Sequence, residues 1–198
     1  MTHCFSRRSF LKGSAAAAAA LTSPLLPADA AFSETENGLF SPVSALCQTQ
    51  YGPVKGREGE NGLLCWYGIP YGAAPTGESR WTAPQEPARW HAVRDCTSPA
   101  PAAYQYTTFP LGTEDCLTLD IYSSAEAKKR PVLVYLHGSA ATGSSLELPG
   151  CELVRDAGCV FVALNYRLGL FGWNCLPALT SGSDATGNFA LQIGRAHV

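Results

Sequence analysis

The stretch from Pro131 to Leu164 constrains the fold more than any other part of this chain. Pro131–Leu136 (PVLVYL) and Cys159–Leu164 (CVFVAL) are continuous apolar runs of strand length. Such runs suit strands buried on both faces of a largely parallel sheet. Between them, Leu148–Ala157 carries a short helical pattern closed by Gly158. Glycine readily takes the left-handed conformation that ends a helix. Strand, helix and strand make a βαβ unit, which places the chain in the α/β class. Two more strands are predicted, at the apolar run Leu63–Tyr67 and at Leu117–Tyr122, where apolar and polar residues alternate. Ser98–Thr113, rich in Pro, Ala, Tyr and Thr, predicts a surface loop. No internal repeat is present.

A hydrophobic content of 46% with only 15% charged residues describes a globular chain with a core, not a disordered one. No apolar run is placed to act as a retained transmembrane helix. The N-terminus reads as an address. Ser6-Arg7-Arg8-Ser9-Phe10-Leu11-Lys12 matches the twin-arginine export signature, followed by the weakly apolar Ala15–Leu26 and the small residues Ala28-Asp29-Ala30. An ordinary secretory signal is the alternative. The fit of Phe10, Leu11 and Lys12 favours twin-arginine export, with Arg7 and Arg8 engaging that machinery. Residues 1–30 are therefore assigned to the signal, and the protein is expected in the periplasm or outside the cell. Residues 31–50 lack a clear period and read as a flexible lead-in.

The whole chain carries a net charge of −2. Setting aside Arg7, Arg8, Lys12, Asp29 and Arg195 leaves 10 basic and 15 acidic side chains. An acidic chain without a basic stripe excludes nucleic acid and anionic membranes as expected partners. Lys128-Lys129-Arg130 is its one cationic cluster and reads as a solvated loop. Of eight cysteines, Cys4 leaves with the signal, and the other seven are widely spread without C-x-x-C spacing. That pattern points to neither zinc nor a complete disulfide set. A twin-arginine substrate folds in a reducing compartment before export, so the thiols are expected to act mainly as small core residues.

Four motifs, in order, bear on chemistry. The segment from Gly68 to Trp90 supplies Gly68, Ile69, Pro70, Tyr71, Pro75, Gly77, Arg80, Trp81, Pro84 and Trp90. Glu114-Asp115-Cys116-Leu117-Thr118-Leu119-Asp120-Ile121-Tyr122 follows, then His137-Gly138-Ser139-Ala140, then Asn165-Tyr166-Arg167-Leu168-Gly169-Leu170-Phe171-Gly172-Trp173. Together they resemble the type B carboxylesterases, a family of α/β-hydrolases that includes the cholinesterases and bacterial para-nitrobenzyl esterases. The family has Ala at Gly72, Pro at Ala74 and Asn at Asp120. Gly187–Gln192 resembles the start of a family helix, G-N-x-G-L-x-D-Q. Residues 51–192 are thus expected to form the N-terminal part of a carboxylesterase domain, holding only the first part of an α/β-hydrolase sheet. Ile193–Val198 reads as an adapter-encoded artefact outside the fold.

The resemblance implies carboxylic ester hydrolysis on a small-molecule substrate, through an acyl-enzyme, with no metal or cofactor. It implies that Arg80 and Glu114 pair to tie the entrance segment, Gly68–Trp90, to the sheet. It implies that Gly138, Ser139 and Ala140 form an oxyanion loop, whose donors are the N–H groups of Ser139 and Ala140. The family has H-G-G-G or H-G-G-A there, so Ser139 and Ala140 restrict φ where glycine is free. In cholinesterases the cysteine matching Cys116 bridges to an upstream cysteine. Here Ala102–Gln105 holds none, so Cys116 is expected as a free thiol, with Cys96 the alternative partner.

No G-x-S-x-G nucleophile elbow occurs in these residues. Ser139 sits in the oxyanion loop and is not a substitute. The triad runs Ser, acid, His in this fold, and His3, His91, His137 and His197 all fail that order. The elbow is expected on the order of thirty residues after Gln192, and the chain as given is expected to be inactive. A carboxylesterase-like fold serving as a non-catalytic binding or adhesion module is the alternative.

Overall fold

The structure, a computed structural model, describes residues 45–59, 62–125, 130–174, 176 and 188–197. The export signal, the lead-in up to residue 44, Lys128-Lys129 and Cys175 lie outside the described residues.

A five-stranded sheet forms the centre. In spatial order it holds β3 (Arg57–Glu58), β4 (Leu63–Pro70), β8 (Thr118–Ser124), β10 (Val160–Leu164) and β9 (Val132–Leu136). The expected βαβ unit is present: β9 and β10 pair in parallel, and helix α1 (Gly150–Ala157) lies between them in the chain. Gly158 ends α1 at φ 61, and its N–H donates to the Val154 carbonyl at 3.0 Å. The other pairings, β3–β4, β4–β8 and β8–β10, are antiparallel. The described sheet is therefore mixed, not largely parallel as the apolar runs predict. Burial sets the composition of a strand, and direction leaves little mark on it.

Alternation sorts β4 onto two cores. Leu63, Cys65 and Tyr67 face α1 with Tyr122, Phe161, Ala163 and Val154. Leu64, Trp66 and, beyond a register shift, Ile69 face the other side with Leu119, Ile121, Val162 and Leu164. Two expectations about single strands need correction. Strand β8 is buried at Thr118–Tyr122 despite its alternating sequence, because it runs between β4 and β10. Strand β9 is only partly covered, with Leu133 47% and Leu136 40% exposed, because it borders the described sheet and has one strand neighbour.

The lead-in also ends earlier than its composition predicts. Leu46–Gln48 forms β1, paired antiparallel with β2 (Pro53–Lys55), which pairs in parallel with β5 (Arg94–Asp95). The Ala45 carbonyl accepts from buried Trp66 Nε1 and from the Gly56 N–H, both at 2.7 Å. Within the predicted surface loop, β6 (Gln105–Tyr106) and β7 (Pro110–Leu111) form a short hairpin. A one-turn helix, α2 (Gly169–Gly172), follows β10. A 3-10 helix covers Phe189–His197 and breaks its helical dihedrals at Gln192. Its Phe189 and Ala190 are buried, and Ile193 packs partly against the core.

Candidate functional site

Leu136 and Leu164 are register partners in the parallel pair β9–β10, so the loops that follow them leave the sheet side by side. In open α/β sheets the ligand crevice forms at such carboxyl ends. His137 is buried there, with its ring stacked on Tyr166 at 4.3 Å between centroids and its carbonyl accepting from the Tyr166 hydroxyl. One motif thereby fixes the start of another. Gly138, Ser139 and Ala140 then emerge into solvent.

Ser139 is at φ 64, the single non-glycine residue with positive φ among the described residues. Its own hydroxyl supports that conformation by accepting from the N–H groups of Ala141 and Thr142, at 3.2 and 3.3 Å. The Ala140 carbonyl accepts from the Gly169 N–H at 2.7 Å, joining the loop to the turn after β10. Among the described residues, the N–H groups of Ser139 and Ala140 meet no acceptor. Two adjacent, exposed, undonated N–H groups can bind a developing oxyanion.

The rest of the loop is held from below by a buried polar network. Asp120, 1% exposed, accepts from the Gly68 N–H at 2.8 Å and from the Ser145 hydroxyl at 2.6 Å. The Ser145 N–H donates to Asn165 Oδ1 at 2.9 Å, and Asn165 Nδ2 donates back to Ser145 Oγ at 3.1 Å. The Asn165 carbonyl accepts from the Tyr71 hydroxyl at 2.8 Å. Burial pushes the Asp120 carboxyl above its usual range, and the bonds from Ser145 and Gly68 offset part of that push. Gln105 reads Gly143 on both sides: its Nε2 donates to the Gly143 carbonyl at 2.9 Å, and its Oε1 accepts from the Gly143 N–H at 3.0 Å.

The entrance segment closes over the same end of the sheet. Arg80 and Glu114 form a two-pronged pair, Nε to Oε2 at 2.6 Å and Nη2 to Oε1 at 2.9 Å. Their side chains are 38% and 25% exposed, so the pair is partly solvated and breaking it leaves no fully buried charge. Arg167 is the buried cation. Its Nη1 donates to the carbonyls of Thr82 at 2.9 Å and Arg80 at 3.2 Å, and its guanidinium lies 4.7 Å from the Phe189 ring centroid. Burial holds that guanidinium below its usual value, while Cys116 and Tyr71 oppose the shift. Trp81 stacks on Phe171 at 5.3 Å, and Tyr104 meets Phe171 edge-on at 5.4 Å. A shallow cleft lined by Pro75, Tyr104, Glu114, Cys116, Arg167, Leu168 and Phe171 lies between these parts. Cys96 and Cys116 are free thiols, pushed up by burial to about 11 and about 12 respectively. Among the described residues, no cluster of three His, Cys, Asp or Glu side chains has the geometry to hold a metal ion. Among them, too, no helix is long and apolar enough to cross a membrane.

Comparison with known proteins agrees with this arrangement. The model of the "Carboxylesterase family" matches residues 43–192. The chain belongs to the carboxylesterase family. Para-nitrobenzyl esterase of Bacillus subtilis is 39% identical over 137 residues, covering 63% of this chain and 28% of the relative. Esterase B1 of Culex pipiens is 32% identical over 160 residues, covering 75% and 29%. A solved PNB esterase superposes with a TM-score of 0.70 at 35% identity, over 77% of this chain and 33% of that one. The chain thus spans about three-tenths of the length of these carboxylesterases. Its fold is the α/β-hydrolase fold of those structures, present in part. A second model, for the twin-arginine translocation pathway signal sequence, matches residues 4–24. This carboxylesterase chain is therefore addressed for export to the periplasm or the extracellular space.

Several contributors to the site escape sequence reasoning. Asp120 left a trace, since the family motif has Asn in its place. Gln105 and Ser145 left none, because each acts through a partner between 20 and 38 residues away.

Proposed function

We propose that this chain is the N-terminal part of an exported carboxylic ester hydrolase, whose Ser-His-acid triad is encoded beyond residue 192. The observation that carries this reading is the pair of N–H groups, Ser139 and Ala140, at the carboxyl end of β9, which meet no acceptor among the described residues. In the complete enzyme a serine attacks the ester carbonyl, a histidine takes the serine proton and returns it to the leaving alcohol, and an acid orients the histidine. The two N–H groups stabilise the tetrahedral oxyanion, an effect worth about 3–4 kcal/mol per donor in a water-excluded site. Tyr166, Gly169 and the Asp120–Ser145–Asn165 network serve to hold the loop that presents them. Arg80 and Glu114 serve as a structural tie between the entrance segment and the sheet. The substrate class is a small-molecule ester.

The test is turnover of a para-nitrophenyl ester. The 198-residue chain alone is expected to show none, and a version extended through a G-x-S-x-G elbow is expected to show saturable hydrolysis. Hydrolysis by the 198-residue chain, blocked by a serine-directed inhibitor, would overturn the assignment. The serine side chain at position 139, in place of the family's glycine, favours a second reading, a non-catalytic binding module. An extended gene without the serine elbow would establish that one instead.

A further inference from the structure

One contact in the molecule belongs to neither the site nor the family resemblance. Cys65 sits in β4, fully buried on the face covered by α1, and Cys151 sits half-buried in the first turn of α1. Their sulfur atoms are 3.5 Å apart, although 86 residues separate them in the chain. Among the described cysteines no other pair of thiols is in contact. The approach is built into the packing. A Cβ on Gly150 would lie 2.6 Å from the Tyr122 ring, so only glycine lets the helix start this close to the sheet. Tyr122 is the register partner of Cys65, which places the next helical residue, Cys151, directly over the Cys65 side chain.

We propose that Cys65 and Cys151 are an oxidation site that closes to a disulfide after export, fastening α1 to β4. The chain folds where thiols stay reduced, and its export signal then carries it to a compartment where disulfides persist. Sulfur atoms already in contact need to close by about 1.5 Å to reach bonding distance, a movement within reach of side-chain rotation at a helix start. The co-reactant is an external disulfide, either a small molecule or a protein. Cys151 is the less buried partner and reacts first: its thiolate attacks one sulfur of that disulfide, forms a mixed disulfide and expels one external thiolate. Cys65 then loses its proton to solvent and attacks the Cys151 sulfur. The internal bond forms, the mixed bond breaks, and the second external thiolate leaves. In total two protein thiols are oxidised and one external disulfide is reduced to two thiols. Burial, and then the hydrogen bond shared with Cys151, push the Cys65 thiol up to about 11. Only the thiolate attacks, so the closing step quickens as pH rises.

The experiment treats the reduced 198-residue protein with oxidised glutathione, alkylates the remaining thiols and maps tryptic peptides. The sequence between Arg57 and Arg80 contains Cys65 as its one cysteine, and that between Arg130 and Arg155 contains only Cys151, so a linked pair is unambiguous. The expected result is one cross-linked peptide pair, with an upward shift in melting temperature on oxidation. Cys151→Ser is expected to lose both effects, and Cys65→Ala to accumulate a glutathione adduct on Cys151. Cys159→Ser, which alters a buried thiol on the same face, is expected to keep the cross-link. Recovery of Cys65 and Cys151 as separately alkylated peptides, or of either linked to a different cysteine, overturns the proposal. The readout involves no ester turnover, so it stands or fails separately from the hydrolase assignment.

Discussion

At the scale of single residues, two side chains depart from what their positions favour, and each is held by specific bonds. Ser139 adopts a left-handed backbone that disfavours any Cβ by about 1–2 kcal/mol. Its hydroxyl recovers part of this by capping the N–H groups of Ala141 and Thr142. Asp120 is a buried carboxyl with no cation against it among the described residues, satisfied by one hydroxyl and one backbone N–H. Because burial raises its folded value, the folded state holds the proton more tightly than the unfolded chain does. The contribution of Asp120 is then fully present below its unfolded value, about pH 4, and is lost as pH rises through the raised folded value. Asn at this position keeps an acceptor for the Gly68 N–H, turns a donor toward Ser145 Oγ where Asp120 accepts, and has no ionisable group. Asp120→Asn is therefore expected to gain stability over the natural chain as pH climbs from about 4 toward 7. Urea midpoints of both proteins across that range provide the check. A constant difference would show that the carboxyl titrates normally.

At the scale of elements, the β9–α1–β10 unit positions the site, and its tightest local requirement is the helix stop. Gly158 at φ 61 lets the chain reverse from α1 into β10 while its N–H still bonds Val154. Gly158→Ala places a Cβ in the left-handed region and is expected to lower stability by about 1 kcal/mol, read as a lower urea midpoint with an unchanged slope. This unit was legible in the sequence because each signal is local: two apolar runs, a helical period and a glycine. The Arg80–Glu114 contact was legible through resemblance alone, since no periodicity announces it, and the same resemblance is what singles out Gly138, Ser139 and Ala140 as oxyanion-loop candidates. Pairing direction was not legible, because a strand's composition reports its burial and not its neighbour's orientation. Strand β1 was hidden for a related reason. Leu46–Gln48 is short, and its place depends on Trp66 reaching back to the Ala45 carbonyl from 21 residues away. The same holds for Gln105, whose hairpin is read by its amide contact with Gly143 and not by any local pattern.

At the scale of the whole molecule, residues far apart in the chain meet at one end of the sheet, and a twin-arginine address implies that they meet before export. The Tyr71–Asn165 and Arg167–Thr82 bonds span 94 and 85 residues, so neither forms until most of the described chain is in place. An export route that reads a twin-arginine address suits such a chain, because it accepts proteins that fold inside the cell. Arg7 and Arg8 carry that address within the matched signal at residues 4–24. Replacing both with lysine preserves charge but removes the paired guanidinium groups, which present planar, multidentate donors that an ammonium group does not. The double variant is expected to remain in the cytoplasm with its signal uncleaved, with loss of most of the exported protein in fractionated cells. Its fold should be unaffected, since the substitutions lie upstream of the residues matched by the carboxylesterase family, 43–192. The retained protein should also keep Cys65 and Cys151 reduced, whereas the exported protein should carry them linked. Equal export of the double-lysine variant would show instead that a general secretory route reads this N-terminus, and folding would then take place after translocation.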